Sequence, residues 1–160
     1  MKLFKEFVNE NYDSFDNAAG DDFWGNMGAG VLIICPLTSR ILIAYRSIYV
    51  NEPHTYNLIG GKIDDNENIE ETLTRELEEE TGYSNEIELI PSYIFKTDSN
   101  SFIYHNYIGL VQNEFNPTLN WETEYFKWVT LDELFKLKNK WHFGLKKLIE
   151  NDLNNIKKYI

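Results

Sequence analysis

Between Asn68 and Gly82 the chain spells out a helix with both of its ends marked. Asn68 can accept from the first orphan amides, Glu71 three residues on can return the bond, and Gly82 can adopt the left-handed conformation that stops a helix. The spacing therefore predicts a helix over 69–81. At about 100° per residue, with Glu76 taken as zero, Glu79 falls near ~300° and Glu80 near ~40°, so these three carboxylates share one side. Ile69, Leu73 and Leu77 fall at about 20°, 60° and 100°, which makes an apolar stripe overlapping the acidic edge. Such a helix must lie on a sheet with acids at the seam, whereas Glu70, Glu71 and Glu78 project to water.

The flanking sequence supplies the sheet. "VLIICPL" (31–37) and "ILIAYRS" (41–47) are rich in β-branched residues and read as a hairpin across "TSR". "TYNLI" is a short extended piece leading into Gly60 and Gly61, after the glycine-rich breaker "DNAAGDDFWGNMGAG". Beyond the helix, "EIELI", "SYIFKTD", "SFIYHNYIGLVQ" and "EYFKWVTL" read as strands. "LDELFKL", capped by Thr130, and "HFGLKKLIENDLNNIKKY" read as helices. Leu3, Phe4, Phe7 and Val8 add a short amphipathic helix at the start. Strands around a central helix, with helices at both ends, imply an α/β fold with a mixed sheet covered on its faces. With 160 residues, no repeat and no linker, the expectation is one domain: 1–27 an N-terminal helix and loop, 138–160 a C-terminal helix.

Charge narrows the partners. Fifteen Lys and Arg against 26 Asp and Glu give a net charge of -11, which repels an extended nucleic acid. The single cysteine, Cys35, sits in an apolar run as a small hydrophobe and implies a reducing compartment. Acids early in the chain interrupt any signal-peptide core and no run reaches membrane-span length, so a cytoplasmic protein without membrane contact is expected, monomeric or homodimeric.

What neutralises Glu76, Glu79 and Glu80? Arg75, at about 260° on the same wheel, can pair i,i+4 with Glu71 or Glu79. One arginine cannot offset three carboxylates, but a hard divalent cation can, because Mg²⁺ takes oxygen ligands and commonly bridges carboxylates to substrate phosphates. Two other motifs fail on spacing. An EF-hand begun at Asp64 meets Ile69 where glycine belongs and Arg75 where glutamate belongs, and Gly61-Lys62 is followed by Ile63, which excludes a P-loop.

Gly61, Glu67, Arg75, Glu76, Leu77, Glu79, Glu80, Gly82 and Tyr83 together resemble the Nudix box, G-x5-E-x7-R-E-U-x-E-E-x-G-U. Only Tyr83 departs, standing where an aliphatic residue is usual. "ILIAYRS" and "WETEYFKWVTLDEL" resemble the flanks of that family, so residues 28–137 are covered. The resemblance implies an α/β/α sandwich and Mg²⁺- or Mn²⁺-dependent hydrolysis of a nucleoside diphosphate linked to a further group, such as ADP-ribose or a dinucleoside polyphosphate. By position it implies Glu76, Glu79, Glu80 and the Gly61 carbonyl as metal ligands, Glu67 as a support and Arg75 as the group orienting the carboxylates. The general base is implied in the box, at Glu76 or Glu80, or in a later loop, at Glu122 with Glu124 as rival. "TYNLIGG" lacks the tryptophan and proline that many relatives carry there, so no substrate is assigned by motif. A binding module without catalysis, or an enzyme of capped RNA ends, is the alternative.

Outside the box, Arg46 ends a strand, where solvation is the commoner fate and a phosphate contact the functional one. Tyr45, Tyr56, Trp24 and Trp121 are aromatic faces on which a base could stack. His54, His105 and His142 lack the spacing of a zinc site. The face assignment makes a direct expectation. Glu78→Gln leaves turnover near wild type, whereas Glu79→Gln and Glu80→Gln each lower it by orders of magnitude with unchanged circular dichroism; equal effects at all three positions would refute the assignment.

Overall fold

The computed structural model describes residues 27–50, 52–98 and 102–160; the expected N-terminal helix and Trp24 lie outside them. Seven strands form one sheet: β1 (Met27–Cys35), β2 (Arg40–Arg46), β3 (Tyr56–Asn57), β4 (Ile59–Lys62), β5 (Glu88–Lys96), β6 (Ile103–Leu110) and β7 (Thr123–Val129). The helices are α1 (Ile69–Thr81), α2 (Leu131–Lys136) and α3 (Phe143–Ile156). The sheet is mixed, since β1 runs parallel to β6 and every other pairing is antiparallel. No helix among the described residues is long and apolar enough to cross a membrane.

Alternation along β1 builds both cores. Ala29, Val31, Ile33 and Cys35 face Leu73 and Leu77 of α1, while Leu32 and Ile34 face Leu134 of α2 and Leu145, Leu148 and Ile149 of α3. A strand buried on both faces reads as a continuous apolar run, which is why 31–35 carries no polar residue. The result is the α/β/α sandwich expected from the sequence.

The first hairpin does not stay paired along its length. β1 and β2 pair only from Ile33 to Cys35 against Arg40 to Leu42, then part. The gap is filled by a single segment that pairs first with β2, at Tyr56 and Asn57, and then with β1, at Ile59 to Lys62. This wedge delivers Gly60 and Gly61 to the middle of the sheet.

Local signals were strong where the chain caps itself. α1 spans 69–81 as expected, with the reciprocal Asn68–Glu71 bonds of a capping box and Gly82 at φ 73. Thr130 and Glu133 make the same box on α2. Three features differ from the expectation, the first two for a physical reason. β1 begins at Met27 rather than at 31, so Gly28 and Gly30 are strand residues and not breakers; a Cβ on either would collide with Tyr104 of β6, and one on Gly30 with Leu58 as well. "EIELI" and "SYIFKTD" join into one strand with an irregularity between Pro91 and Ile94, tolerated because β5 is an edge. The C-terminal segment opens with a 3-10 turn at Lys138–Lys140, and α3 departs from helical geometry at Asp152.

The wedge is intolerant of added atoms. A Cβ on Gly60 would stand 2.2 Å from the Ala29 carbonyl oxygen and 2.6 Å from Gly30 Cα, both backbone, whereas one on Gly144 would meet nothing closer than 3.6 Å. Gly60→Ala is expected to cost about 2–4 kcal/mol, and Gly144→Ala to be neutral or stabilising by up to about 1 kcal/mol. Urea midpoints read both.

Candidate active site

Two glycines of β4 receive two carboxylates of α1. Gly61 lies so close to Glu76 that a Cβ there would stand 2.3 Å from its Oε1, so only glycine lets this carboxylate rest against the strand. One helical turn on, Glu80 accepts the Gly60 amide at 3.2 Å.

Arg75 organises the acids around it. Its Nε and Nη2 form a fork with both oxygens of Glu67, at 2.7 and 3.0 Å, while Nη1 donates to Glu76 Oε1 at 2.8 Å and to Glu79 Oε2 at 3.4 Å. Nη2 also reaches the Lys62 carbonyl at 3.2 Å, and Thr72 Oγ1 donates to Glu67 at 2.9 Å. The i,i+4 contact to Glu79 forms, but Glu71 closes the capping box instead of meeting Arg75. Glu67 reaches the guanidinium from the loop before the helix, a partner that helical spacing does not announce. The Arg75 and Thr72 bonds hold the Glu67 pKa down at about 2. Glu76 goes the other way: burial pushes it up to about 7 against the pull of Arg75, and the charges of Glu79 and Glu122 add to the rise. The site thus holds more negative charge than its arginine offsets.

From the opposite side come Glu122 and Arg46. The loop before β7 is clipped to the end of β2 by Ser47, whose amide donates to the Glu122 carbonyl at 2.9 Å and whose hydroxyl donates to the Trp121 carbonyl at 2.8 Å. Glu122 is thereby buried at 5% exposure, within electrostatic reach of Glu76 and Arg46. Its rival Glu124 is half exposed, 3.8 Å from His54 and outside this cluster. Arg46 is 4% exposed rather than solvated. Burial lowers its pKa while Glu52, then Glu80 and Glu122, hold its charge; its Nε donates to the Glu52 carbonyl at 3.3 Å.

Tyr45 and Tyr56, expected as substrate contacts, are not brought to the carboxylates. Their rings pack 4.8 Å apart in the core under α3, with Tyr125 stacked on Tyr45 and hydrogen-bonded to Tyr56. Alternation along β2 separates Tyr45 from Arg46, and spacing alone does not say which face is the site. Trp121 is 56% exposed beside Glu122. The histidines stay scattered: His142 caps α3 through Nδ1 and lies 3.2 Å from Glu52, and His54 is at the surface. Tyr104 was not foreseen. It is buried, with its hydroxyl against Gly30 and Gly60 and in the field of Glu80 and Glu76, and burial followed by those charges raises its pKa.

Among the described residues no three carboxylate, imidazole or thiol groups form a closed metal cage. Glu76 and Glu80 take N–H partners instead. The donor set still fits a hard cation, being all oxygen and gathered around a carboxylate whose ionised form the apolar surroundings resist.

The geometry has clear likenesses. The family model described as the NUDIX domain matches residues 26–151. The chain belongs to the Nudix hydrolase family. A Nudix hydrolase of M. smegmatis, RenU, superimposes with a TM-score of 0.70 at 20% identity, over 86% of this chain and 89% of that one. Among curated relatives, a Streptomyces rubellomurinus CMP-5'-(N-acetyl-N-hydroxy-3-aminopropyl)phosphonate hydrolase is 41% identical over 56 residues, 35% of this chain. A Mycobacterium tuberculosis protein provisionally named 8-oxo-dGTP diphosphatase 3 is 27% identical over 128 residues, 74% of this chain. The chain spans 27% and 59% of the lengths of these two relatives.

The raised Glu76 pKa has a sign. A carboxyl whose folded pKa exceeds its unfolded value of 4.5 stabilises fully below that value, and the contribution is lost as pH rises through about 7. In chelator the wild-type thermal midpoint is expected to fall across that window, and Glu76→Gln to flatten the fall. With Mg²⁺ present the wild-type gain in midpoint should instead grow with pH, because the ion binds the ionised form, and Glu76→Gln should abolish it.

Proposed function

We propose that this chain hydrolyses the diphosphate bond of a nucleoside diphosphate linked to a second group, with Mg²⁺ or Mn²⁺ bound at the box. The observation that carries the reading is the charge imbalance: Glu76, Glu80 and Glu122 gather at a glycine wedge with one carboxylate pushed up to about 7. Glu76, Glu79, Glu80 and the Gly61 carbonyl would hold the ion, which when bound supplies charge neutralisation and lowers the pKa of attached water.

This chain's residues do the rest by position. Arg75, itself locked by the Glu67 fork, holds Glu76 in place so that substrate arrival needs little reorganisation. Arg46, buried among acids and unable to lose its proton at neutral pH, presents a fixed positive group to a phosphate. Glu122 stands across from the helix carboxylates, where it can accept a proton from an attacking water; Glu80 remains the rival base from the box. Substrates in the class are ADP-ribose and related nucleotide sugars, and dinucleoside polyphosphates. A cytoplasmic setting and a small-molecule partner fit the acidic surface.

A phosphate-release panel of nucleotide sugars, dinucleoside polyphosphates, triphosphates and capped RNA, with Mg²⁺, Mn²⁺ or chelator, tests this. Turnover confined to diphosphate-linked nucleotides and abolished by chelator supports the reading, and binding without turnover of any of them overturns it in favour of a nucleotide-binding module. Glu122→Gln is expected to lower turnover by roughly 10² to 10⁴ while leaving the Mg²⁺ gain in thermal midpoint intact. Loss of that gain along with rate would make Glu122 a ligand, and wild-type turnover would remove it from the site.

A further inference from the structure

The one departure from the box, Tyr83, stands where the chain leaves α1 and meets the loop that carries Glu122. Residues 111–122, "VQNEFNPTLNWE", join β6 to β7 without forming a helix or strand of their own. A loop of this length has no ladder to order it, and each residue held in one conformation costs about 1–2 kcal/mol of backbone entropy. Its order must come from contacts with other elements.

Contacts to α1 and β7 anchor the middle of the loop. The Thr118 amide donates to the Thr81 carbonyl at 2.8 Å, satisfying an acceptor that the last turn of a helix leaves open. The Phe115 ring packs on Tyr83 with centroids 4.3 Å apart and meets Trp128 edge to face at 5.7 Å. Trp128 Nε1 donates to the Phe115 carbonyl at 2.9 Å, so one indole holds both the ring and the backbone of Phe115. Gly82 takes part through its small volume as well as its φ of 73, since a Cβ there would stand 3.0 Å from Thr118 Oγ1.

Adjacency in sequence makes this clasp a link between the two halves of the site. Thr81 directly follows Glu80, so the Thr118 bond ties the loop to the residue next to a box carboxylate. Four residues beyond Thr118 comes Glu122, whose amide donates to Asn120 Oδ1 at 3.0 Å and whose carbonyl accepts from Ser47. Ser47 fixes where the loop ends, and the clasp fixes the direction from which it arrives.

We propose that Tyr83, Phe115 and Trp128 are positioning residues, an aromatic clasp that docks the β6–β7 loop on the end of α1 and sets the Glu122 carboxylate across from Glu76 and Glu80. The proposal rests on the diphosphate hydrolase reading for the role of Glu122, but the docking itself is read without catalysis. Full-length wild type, Phe115→Leu, Tyr83→Val and Tyr83→Phe are compared by amide hydrogen exchange in chelator. Exchange over 116–122 is expected to rise about 10-fold in Phe115→Leu and Tyr83→Val while that over 69–80 holds at the wild-type rate, and Tyr83→Phe, which keeps the ring, is expected to restore most of the protection. On a diphosphate-linked nucleotide that wild type turns over with Mg²⁺, kcat is expected to fall about 10- to 100-fold in the first two variants with KM within about 3-fold, as a misplaced proton acceptor requires. The Mg²⁺ gain in thermal midpoint should persist, because the clasp leaves the box in place. In a Glu122→Gln background the same substitutions should cost almost nothing further, since the group they position is already gone. Unchanged exchange over 116–122 in both variants, or a rate loss undiminished in the Glu122→Gln background, would overturn the proposal. If Phe115→Leu does not fold, Trp128→Phe, which deletes the N–H donor and keeps an aromatic ring, is held to the same criteria. Exchange that rises as expected in a protein turning over no diphosphate-linked nucleotide sinks the hydrolase reading and leaves the docking standing; turnover with exchange and rate both indifferent to the clasp does the reverse.

Discussion

A carboxylate pressed onto a glycine strand is the interaction on which the rest of this molecule depends. Glu76 occupies a position where an apolar residue would satisfy the packing of α1 on the sheet, and its ionised form is disfavoured there by loss of water. It is tolerated because Gly61 leaves room, Arg75 supplies a charge-assisted bond, and Glu67 with Thr72 keeps that guanidinium from leaving. Removing Arg75 leaves Glu76 a buried carboxylate without its charged partner, and adding a Cβ at Gly61 drives backbone and carboxylate into collision.

The sheet is shaped to serve that contact. Parting of β1 from β2 after three paired residues opens a wedge that an ordinary hairpin would close, and the inserted β3–β4 segment brings its glycines to the centre rather than to an edge. Glycines 28, 30 and 60 then let Tyr104 and the neighbouring backbone approach more closely than any side chain would allow. Backbone freedom is a minor part of their use here; volume is the major part.

The sequence alone determined α1, its caps, its faces and the family, because these rest on interactions within a single helical stretch: Asn68 with Glu71, Gly82 at the stop, Glu76 and Glu80 on the side of the apolar stripe. It also announced the apolar double-sided run of β1 and the Thr130 cap of α2. Tertiary structure decided what no local pattern carries. Only the splayed hairpin buries Arg46 among acids, turns Tyr45 and Tyr56 into the α3 core, and admits Glu122 while leaving Glu124 outside. Only the parallel pairing of β1 with β6, distant in sequence, lays Tyr104 over Gly28 and Gly30. Period-two alternation tells which residues of a strand share a face, but which face meets the substrate is set by contacts between strands that the chain brings together only on folding.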